Sequence, residues 1–388
     1  MSNRSSSSDV VVVGAGAVGL AVAWRAAQRG LRVTVLDRAD AAGAGTSAVA
    51  AGMLAPISET LATELPLMRL GLAGVDVYPS FVEELSDASG LDPGYLRCGT
   101  LLAARDGDEA EALGRELELR ASLGLAVNRL RSSEARRLEP ALAPTLRLAL
   151  EIPDDHAIDP RKLTAALARA VTSARGTLRA GVAVAEISVV DGRVRGVRLA
   201  DGERVTAEHV VVAAGAWTES VRGLPPEERV PVHPVKGQIL RLHDPAGPGL
   251  LTRVLRMTGG YVVPRGDGRY VLGATMEERG FDTTVTAGGA FELLRNAFEL
   301  LPSITELVID ELSAGLRPTT PDNAPAIGPG SVPGLHWAVG HYRHGILLTP
   351  ITAELVVGAL TGDVADAIPH EFAPARFAGV QVAAGVGT

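Results

Sequence analysis

Three glycines in the run Gly14-Ala15-Gly16-Ala17-Val18-Gly19 have the spacing that brings a chain turn against a pyrophosphate. The first allows the tight turn, the second lets the phosphates approach the backbone, and the third lets the following helix pack on its strand. A helix starting there points its positive end at the phosphates. Asp37, 18 residues past Gly19, ends the next apolar run and has the type and place to take a ribose hydroxyl. Arg38 beside it could suit a 2′-phosphate, but 35 of the 37 basic residues are arginine, Lys162 and Lys236 being the only lysines, so one arginine carries little. The stretch Thr46-Ser47-Ala48-Val49-Ala50-Ala51-Gly52-Met53 is small, hydroxylated and glycine-containing, and could lie along an extended cofactor. A flexible loop is the plainer reading of the same residues.

Arg317 in Gly315-Leu316-Arg317-Pro318 and Arg343 in Gly340-His341-Tyr342-Arg343 each follow a strand-like run. A guanidinium there suits bidentate binding of a carboxylate, against the default of an ion-paired or surface arginine. Tyr261, one of five tyrosines, is strand filler by default. His341 and His344 are three apart with no third ligand nearby, so no metal is expected. Asp154-Asp155 reads as a turn, and no Ser-His-Asp arrangement stands out.

The elements that must position these groups follow from periodicity. Val10–Val13 is β-branched and predicts a strand buried on both faces. Leu20–Gly30 predicts a helix and Leu31–Leu36 a second strand, which together make a βαβ unit of about 30 residues. Residues 60–150 are expected to be mainly helical, as in Asp108–Leu123. Asp159-Pro160 caps and opens a helix over Arg161–Ala174. Strands follow at Val182–Ile187, Val194–Leu199 and Val210–Ala213, with Asp191-Gly192 and Asp201-Gly202 as hairpin turns. Residues 235–316 read mainly as β, with one helix at Phe291–Leu301. The chain closes with a strand at His336–Val339 and an apolar helix through Leu360. A nucleotide domain is therefore expected from separated segments, 9–60, 151–234 and 325–370. A second domain comes from 61–150 and 235–324, with tails at 1–8 and 371–388.

Composition narrows the function classes. The chain has 388 residues, 46% hydrophobic and 21% charged, enough for two domains with buried cores. The net charge of −8 argues against nucleic acid or an anionic membrane as partner. The uncharged run Val10–Trp24 is too short to span a bilayer, and the single cysteine, Cys98, excludes an internal disulfide. A cytoplasmic location is expected, and the oligomeric state, a homo-oligomer included, is left open.

Taken together, the fingerprint Gly14–Gly19, Thr46–Leu54, Gly260-Tyr261-Val262-Val263-Pro264-Arg265, Gly273-Ala274-Thr275-Met276, Gly315-Leu316-Arg317-Pro318 and the closing run Gly340–Leu348 resemble the FAD-dependent amino-acid oxidases of the D-amino-acid oxidase superfamily, and within it the glycine oxidases of thiamine biosynthesis. The likeness spans about residues 9 to 365. It implies an α/β fold, in which an FAD-binding Rossmann-like domain with a parallel sheet is joined to an α+β substrate domain with a mixed or antiparallel sheet.

It also implies FAD held without a covalent bond, since Cys98 lies in none of these motifs. Arg317 would pair with a substrate carboxylate, Tyr261 would hydrogen-bond it, and Met276 and Met53 would line the site. Arg343 would touch flavin or substrate. Cofactor contacts are implied for Gly14, Gly16, Ala17, Val18, Gly19, Asp37, Arg38, Thr46, Ser47, Ala51, Gly52, Met53 and Val184, and for His341, Tyr342, Arg343, His344, Gly345, Ile346 and Leu347. Where relatives often carry a histidine before the tyrosine, this chain has Gly259 and Gly260. The implied reaction takes glycine or another small amino acid and dioxygen to the 2-oxo acid, ammonia and hydrogen peroxide, with no acid/base residue at Cα, and supplies an imine for thiazole synthesis. The alternatives are a D-amino-acid dehydrogenase, a sarcosine- or proline-type oxidase, a flavin-binding protein without turnover, and an NAD-dependent dehydrogenase.

Overall fold

The computed structural model describes residues 7–59, 61, 63–363 and 368–378. Its first sheet grows from the valine run. Val10, Val11 and Val12 are fully buried, because helices or further strands cover both faces. Ser7–Val13 pairs in parallel with Val33–Leu36 on one side and with Arg204–Val212 on the other. Thr177–Arg179 and Leu335–Val339 extend the parallel core at its two ends. Val184–Val190, Arg193–Leu199 and Ala326–Pro329 add antiparallel strands. The turn Asp191-Gly192 has both residues in the left-handed region, φ 52° and 69°, as a two-residue hairpin requires.

Helices Ala17–Gln28, Pro160–Ser173 and Thr349–Thr361 cover one face of this sheet. The Asp159 carboxylate accepts from the Arg161 amide at 3.0 Å, so the expected cap is in place; such a cap contributes about 1 kcal/mol.

The second sheet has eight strands, in the order Val308–Thr319, His233–His243, Arg269–Gly273, Gly260–Pro264, Val254–Met257, Thr100–Ala104, Leu148–Ile152 and Asn128–Arg131. All its pairings are antiparallel except Val254–Met257 with Thr100–Ala104. A small sheet of Met53–Leu54, His156–Ile158 and Tyr95–Leu96 lies between the two large ones in sequence and carries Met53.

Helices dominate residues 61–150 as expected, in Leu65–Ser89, Gly107–Ser122 and Ser132–Leu138, although three of the eight strands also come from this span. Two expectations need correction. The 25-residue helix Leu65–Ser89 in that span packs into the core of the first sheet, where Phe81 meets Trp24 edge-on at 5.5 Å, so the boundary at 61 misplaces it. Its apolar face, with Tyr78, Phe81 and Leu85 almost wholly buried, binds it there. The expected tails are also too long. Ser7 and Ser8 belong to the first strand, with the Ser8 hydroxyl 2.8 Å from that of Thr34. At the other end Phe372 and Phe377 are buried, whereas residues 1–6 and 379–388 lie outside the described residues. Among the described residues no helix is long and apolar enough to cross a membrane.

Candidate functional site

One cavity of about 1050 Å³ runs from the glycine-rich turn to the second sheet. That is at the upper end of ordinary ligand pockets, as an extended dinucleotide needs. Its first wall is built by the βαβ unit. Gly14 has φ +113°, and a Cβ there would collide with the Ala213 carbonyl, so this turn admits no side chain. Helix Ala17–Gln28 begins at Gly16 with no side-chain cap and no acid in its first turn. The Ala17 amide meets the Ser47 hydroxyl at 3.0 Å, which ties the Thr46–Met53 stretch to the helix start. Asp37 is half-buried at the strand end and takes the Ala15 amide at 2.5 Å and the Ala39 amide at 2.8 Å. Arg38 lies with its guanidinium 4.9 Å from the ring centre of Trp217. This donor set fits a dinucleotide: a helix start with no acid in its first turn for phosphates, a carboxylate at the strand end for a ribose, and a glycine cradle.

The second wall is the sheet that carries the arginine and tyrosine. Arg317 pairs in register with Val235, and next to it Gly237 stands opposite Gly315. A Cβ on Gly237 would collide with the Arg317 guanidinium, so the glycine makes its berth. Arg317 Nη1 donates to the carbonyls of Thr275 at 3.1 Å and Lys236 at 3.4 Å. Among the described residues no carboxylate pairs with it, so its charge is free for an anion. Tyr261 stands opposite Gly273, where a Cβ would come within 2.8 Å of the tyrosine hydroxyl. Burial pushes the Tyr261 phenol above its ordinary range, while the Arg317 charge and hydrogen bond pull the other way. The hydroxyl therefore remains protonated and able to donate. Met53 is buried on the wall and Met276 is exposed at the mouth, with its sulfur 3.5 Å from the Tyr342 hydroxyl.

The closing run behaves less uniformly than expected. His341, Tyr342, Arg343, Gly345 and Ile346 line the cavity. His344 and Leu347, two of the expected contacts, do not: His344 is buried behind the wall and Leu347 packs against the helix carrying Gly71. Arg343 lines the cavity but already faces Glu64 at 3.6 Å, so it is a poorer free cation than Arg317. Buried His341 is pushed down to about 3 and is neutral, its Nε2 3.0 Å from the Thr352 hydroxyl. The other expected residues, Val18, Gly19, Thr46, Ala51, Gly52 and Val184 among them, all line the cavity. Cys98 does not; it packs in the cluster behind Met53 and Tyr261, with burial raising its thiol to about 11. Among the described residues no group of three His, Cys, Asp or Glu could hold a metal.

Sequence reasoning passed over Trp217, Arg256 and Glu59, which also line the cavity. Arg256 is the register partner of Tyr261, donates to the Ser58 carbonyl and lies 3.8 Å from Glu59. Hairpin alternation around Gly259 was the available signal. It was lost among so many arginines.

Residues 9–359 match the family described as FAD dependent oxidoreductase. The chain is 37% identical over 351 residues to a glycine oxidase of Geobacillus kaustophilus, covering 90% of this chain and 91% of that one. The crystal structure of glycine oxidase from the same organism superposes with a TM-score of 0.89 at 33% identity, covering 97% of this chain and 100% of the other. A bifunctional protein ThiO/ThiG of Synechocystis is 36% identical over 375 residues, 95% of this chain but 54% of that protein, so this chain spans about half of that relative.

Proposed function

The chain belongs to the family of FAD dependent oxidoreductases, and on that footing we propose that it oxidatively deaminates glycine and other small amino acids. The products are the 2-oxo acid, ammonia and hydrogen peroxide, with dioxygen and water consumed. The relatives named glycine oxidase support the choice of glycine. Supply of the glycine imine to thiamine thiazole synthesis is part of the same proposal, as the sequence resemblance suggests. One observation carries the reading: Arg317, without a carboxylate partner among the described residues, shares a cavity with Tyr261 and with the dinucleotide cradle.

Gly14–Gly19, Asp37 and Thr46–Met53 would hold FAD, which would supply there a two-electron acceptor that dioxygen restores. Arg317 takes the substrate carboxylate through charge-assisted hydrogen bonds. The Tyr261 hydroxyl donates to the same group and sets its rotation. Met53 and Met276 bound the space left for a side chain, so small substrates fit first. The amine reacts as the free base, whose lone pair develops the C=N bond as hydride leaves Cα. No side chain has to remove a proton from carbon, and holding the substrate in this pose provides much of the rate. The free imine then hydrolyses. The test is peroxide release on adding glycine to the FAD-loaded protein under air. A loaded protein that oxidises none of a panel of small amino acids would refute the proposal.

A further inference from the structure

Outside the substrate contacts, the most unusual group in the second sheet is a buried lysine. Only two lysines occur in the chain, and Lys236 is 1% exposed. Its ammonium lies 3.1 Å from Asp282 and 3.5 Å from Glu277. A compact ammonium with rotatable donors can serve two carboxylates in a space too tight for a planar guanidinium fork.

Both carboxylates belong to the crossover 275–286, which leaves strand Arg269–Gly273 and ends at helix Ala287–Phe298. The main chains of Lys236 and Glu277 exchange hydrogen bonds in both directions, at 2.9 and 3.0 Å. Gln238 ties the two ends of the crossover: its amide NH₂ donates to Glu277 at 2.7 Å, and its carbonyl oxygen accepts from the Thr286 amide at 2.8 Å. Just before the first tie the crossover places Met276 at the cavity mouth, and between the two it places the Phe281 ring centre 6.0 Å from that of Trp217. The two carbonyls that receive Arg317 are those of Lys236 and Thr275, one on each side of this anchored junction.

We propose that Lys236 is a positioning residue for the substrate carboxylate: by pinning Glu277 and Asp282 it holds the two carbonyl oxygens that aim the Arg317 guanidinium. This rests on the assignment of Arg317 above. Without the ammonium, two carboxylates face one another with no cation between them, the crossover loosens, and the guanidinium loses its fixed seat. Lys236 touches no substrate, so the effect is transmitted through Arg317 alone.

The test uses FAD-loaded Lys236→Met, Asp282→Asn, Arg317→Met and the double variant Lys236→Met/Arg317→Met. Loss of aim forfeits part of a charge-assisted hydrogen bond. The expected rise in KM for glycine is about tenfold in Lys236→Met, and smaller but in the same direction in Asp282→Asn, with kcat little changed. Acetate, which carries only the carboxylate, should bind more weakly by the same factor, read from the flavin absorbance change. In the Arg317→Met background the lysine substitution should add nothing, because the two act as one unit. Amide exchange over 276–286 should be faster in Lys236→Met with or without cofactor. The inference is overturned if KM and acetate affinity are unchanged in the lysine variant, or if its effect adds in full on top of Arg317→Met. If Lys236→Met does not fold, an unchanged KM and acetate affinity in Asp282→Asn overturns it. A parent enzyme that neither oxidises glycine nor binds acetate would instead refute the reading of the site.

Discussion

Replacing Arg317 by methionine removes the charge and keeps most of the side-chain volume. In the structure the guanidinium is half-buried and donates to the neutral carbonyls of Thr275 and Lys236, with the neutral Tyr261 hydroxyl beside it. Nothing within the described residues neutralises it, so its full charge is available to a bound carboxylate. A hydrogen bond to a charged group contributes about 1.5–3 kcal/mol, and each 1.4 kcal/mol or so is a factor of ten. KM for glycine should therefore rise roughly ten- to hundred-fold in Arg317→Met. FAD content should hold, because the cradle at Gly14–Gly19 is on the other sheet. The assay is peroxide release against glycine concentration, with bound FAD counted from its absorbance. An unchanged KM in a variant that keeps its flavin would refute the carboxylate assignment and the arrangement built on it.

Tyr261→Phe removes one neutral donor and should raise KM for glycine by about two- to ten-fold, measured in the same assay; no change would separate the hydroxyl from the substrate. Gly14→Ala puts a Cβ into the Ala213 carbonyl at a backbone angle of +113° and should yield protein largely free of FAD, so full flavin occupancy would contradict the cradle. His341 is neutral down to about pH 3 because burial disfavours its charged form, whereas in the unfolded chain it titrates near 6.5. The unfolded state thus binds the extra proton between these values, and stability from this group is complete above about 6.5 and falls as pH drops toward 3. At pH 5 the loss is about 2 kcal/mol. Urea midpoints of His341→Gln should vary less with pH between 7 and 5 than those of the parent, and equal slopes would contradict the burial argument. Asp155, raised to about 6 by burial, titrates in the opposite sense and is present in both proteins, so it cancels in the comparison.

The parts legible in the sequence were those in which local chemistry leaves few options. Gly14, Gly16 and Gly19 with Asp37 announced the βαβ unit because tight turns and buried parallel strands restrict composition. Asp159-Pro160 and Asp191-Gly192 were readable for similar reasons. The helix Leu65–Ser89 was assigned to the wrong core because amphipathicity says that a face is buried but not against what. The strands Thr100–Ala104 and Leu148–Ile152 are short, buried and apolar, and their partners lie far away in sequence, so periodicity alone could not tell them from helix segments.

Within the candidate site, Arg317 and Tyr261 came from motif resemblance, and no spacing rule placed them in one cavity. The register Val235↔Arg317 and Tyr261↔Gly273 does that. Arg256 and Lys236 were missed because their meaning depends on cross-strand partners: Tyr261 for the first, and the crossover 275–286 for the second. His344 and Leu347 share the closing motif but do not line the cavity, because in the short turns after Gly340 their side chains pack into the core.

Anaerobic titration of the FAD-loaded protein with glycine tests the central claim most directly. The flavin absorbance near its visible maximum should bleach with saturating dependence on glycine, glyoxylate should appear in step with it, and admitting oxygen should restore the colour. In Arg317→Met the half-saturating glycine concentration should shift upward with the final bleaching retained. Flavin that stays fully oxidised at saturating glycine and other small amino acids, in protein with FAD bound, would contradict the account.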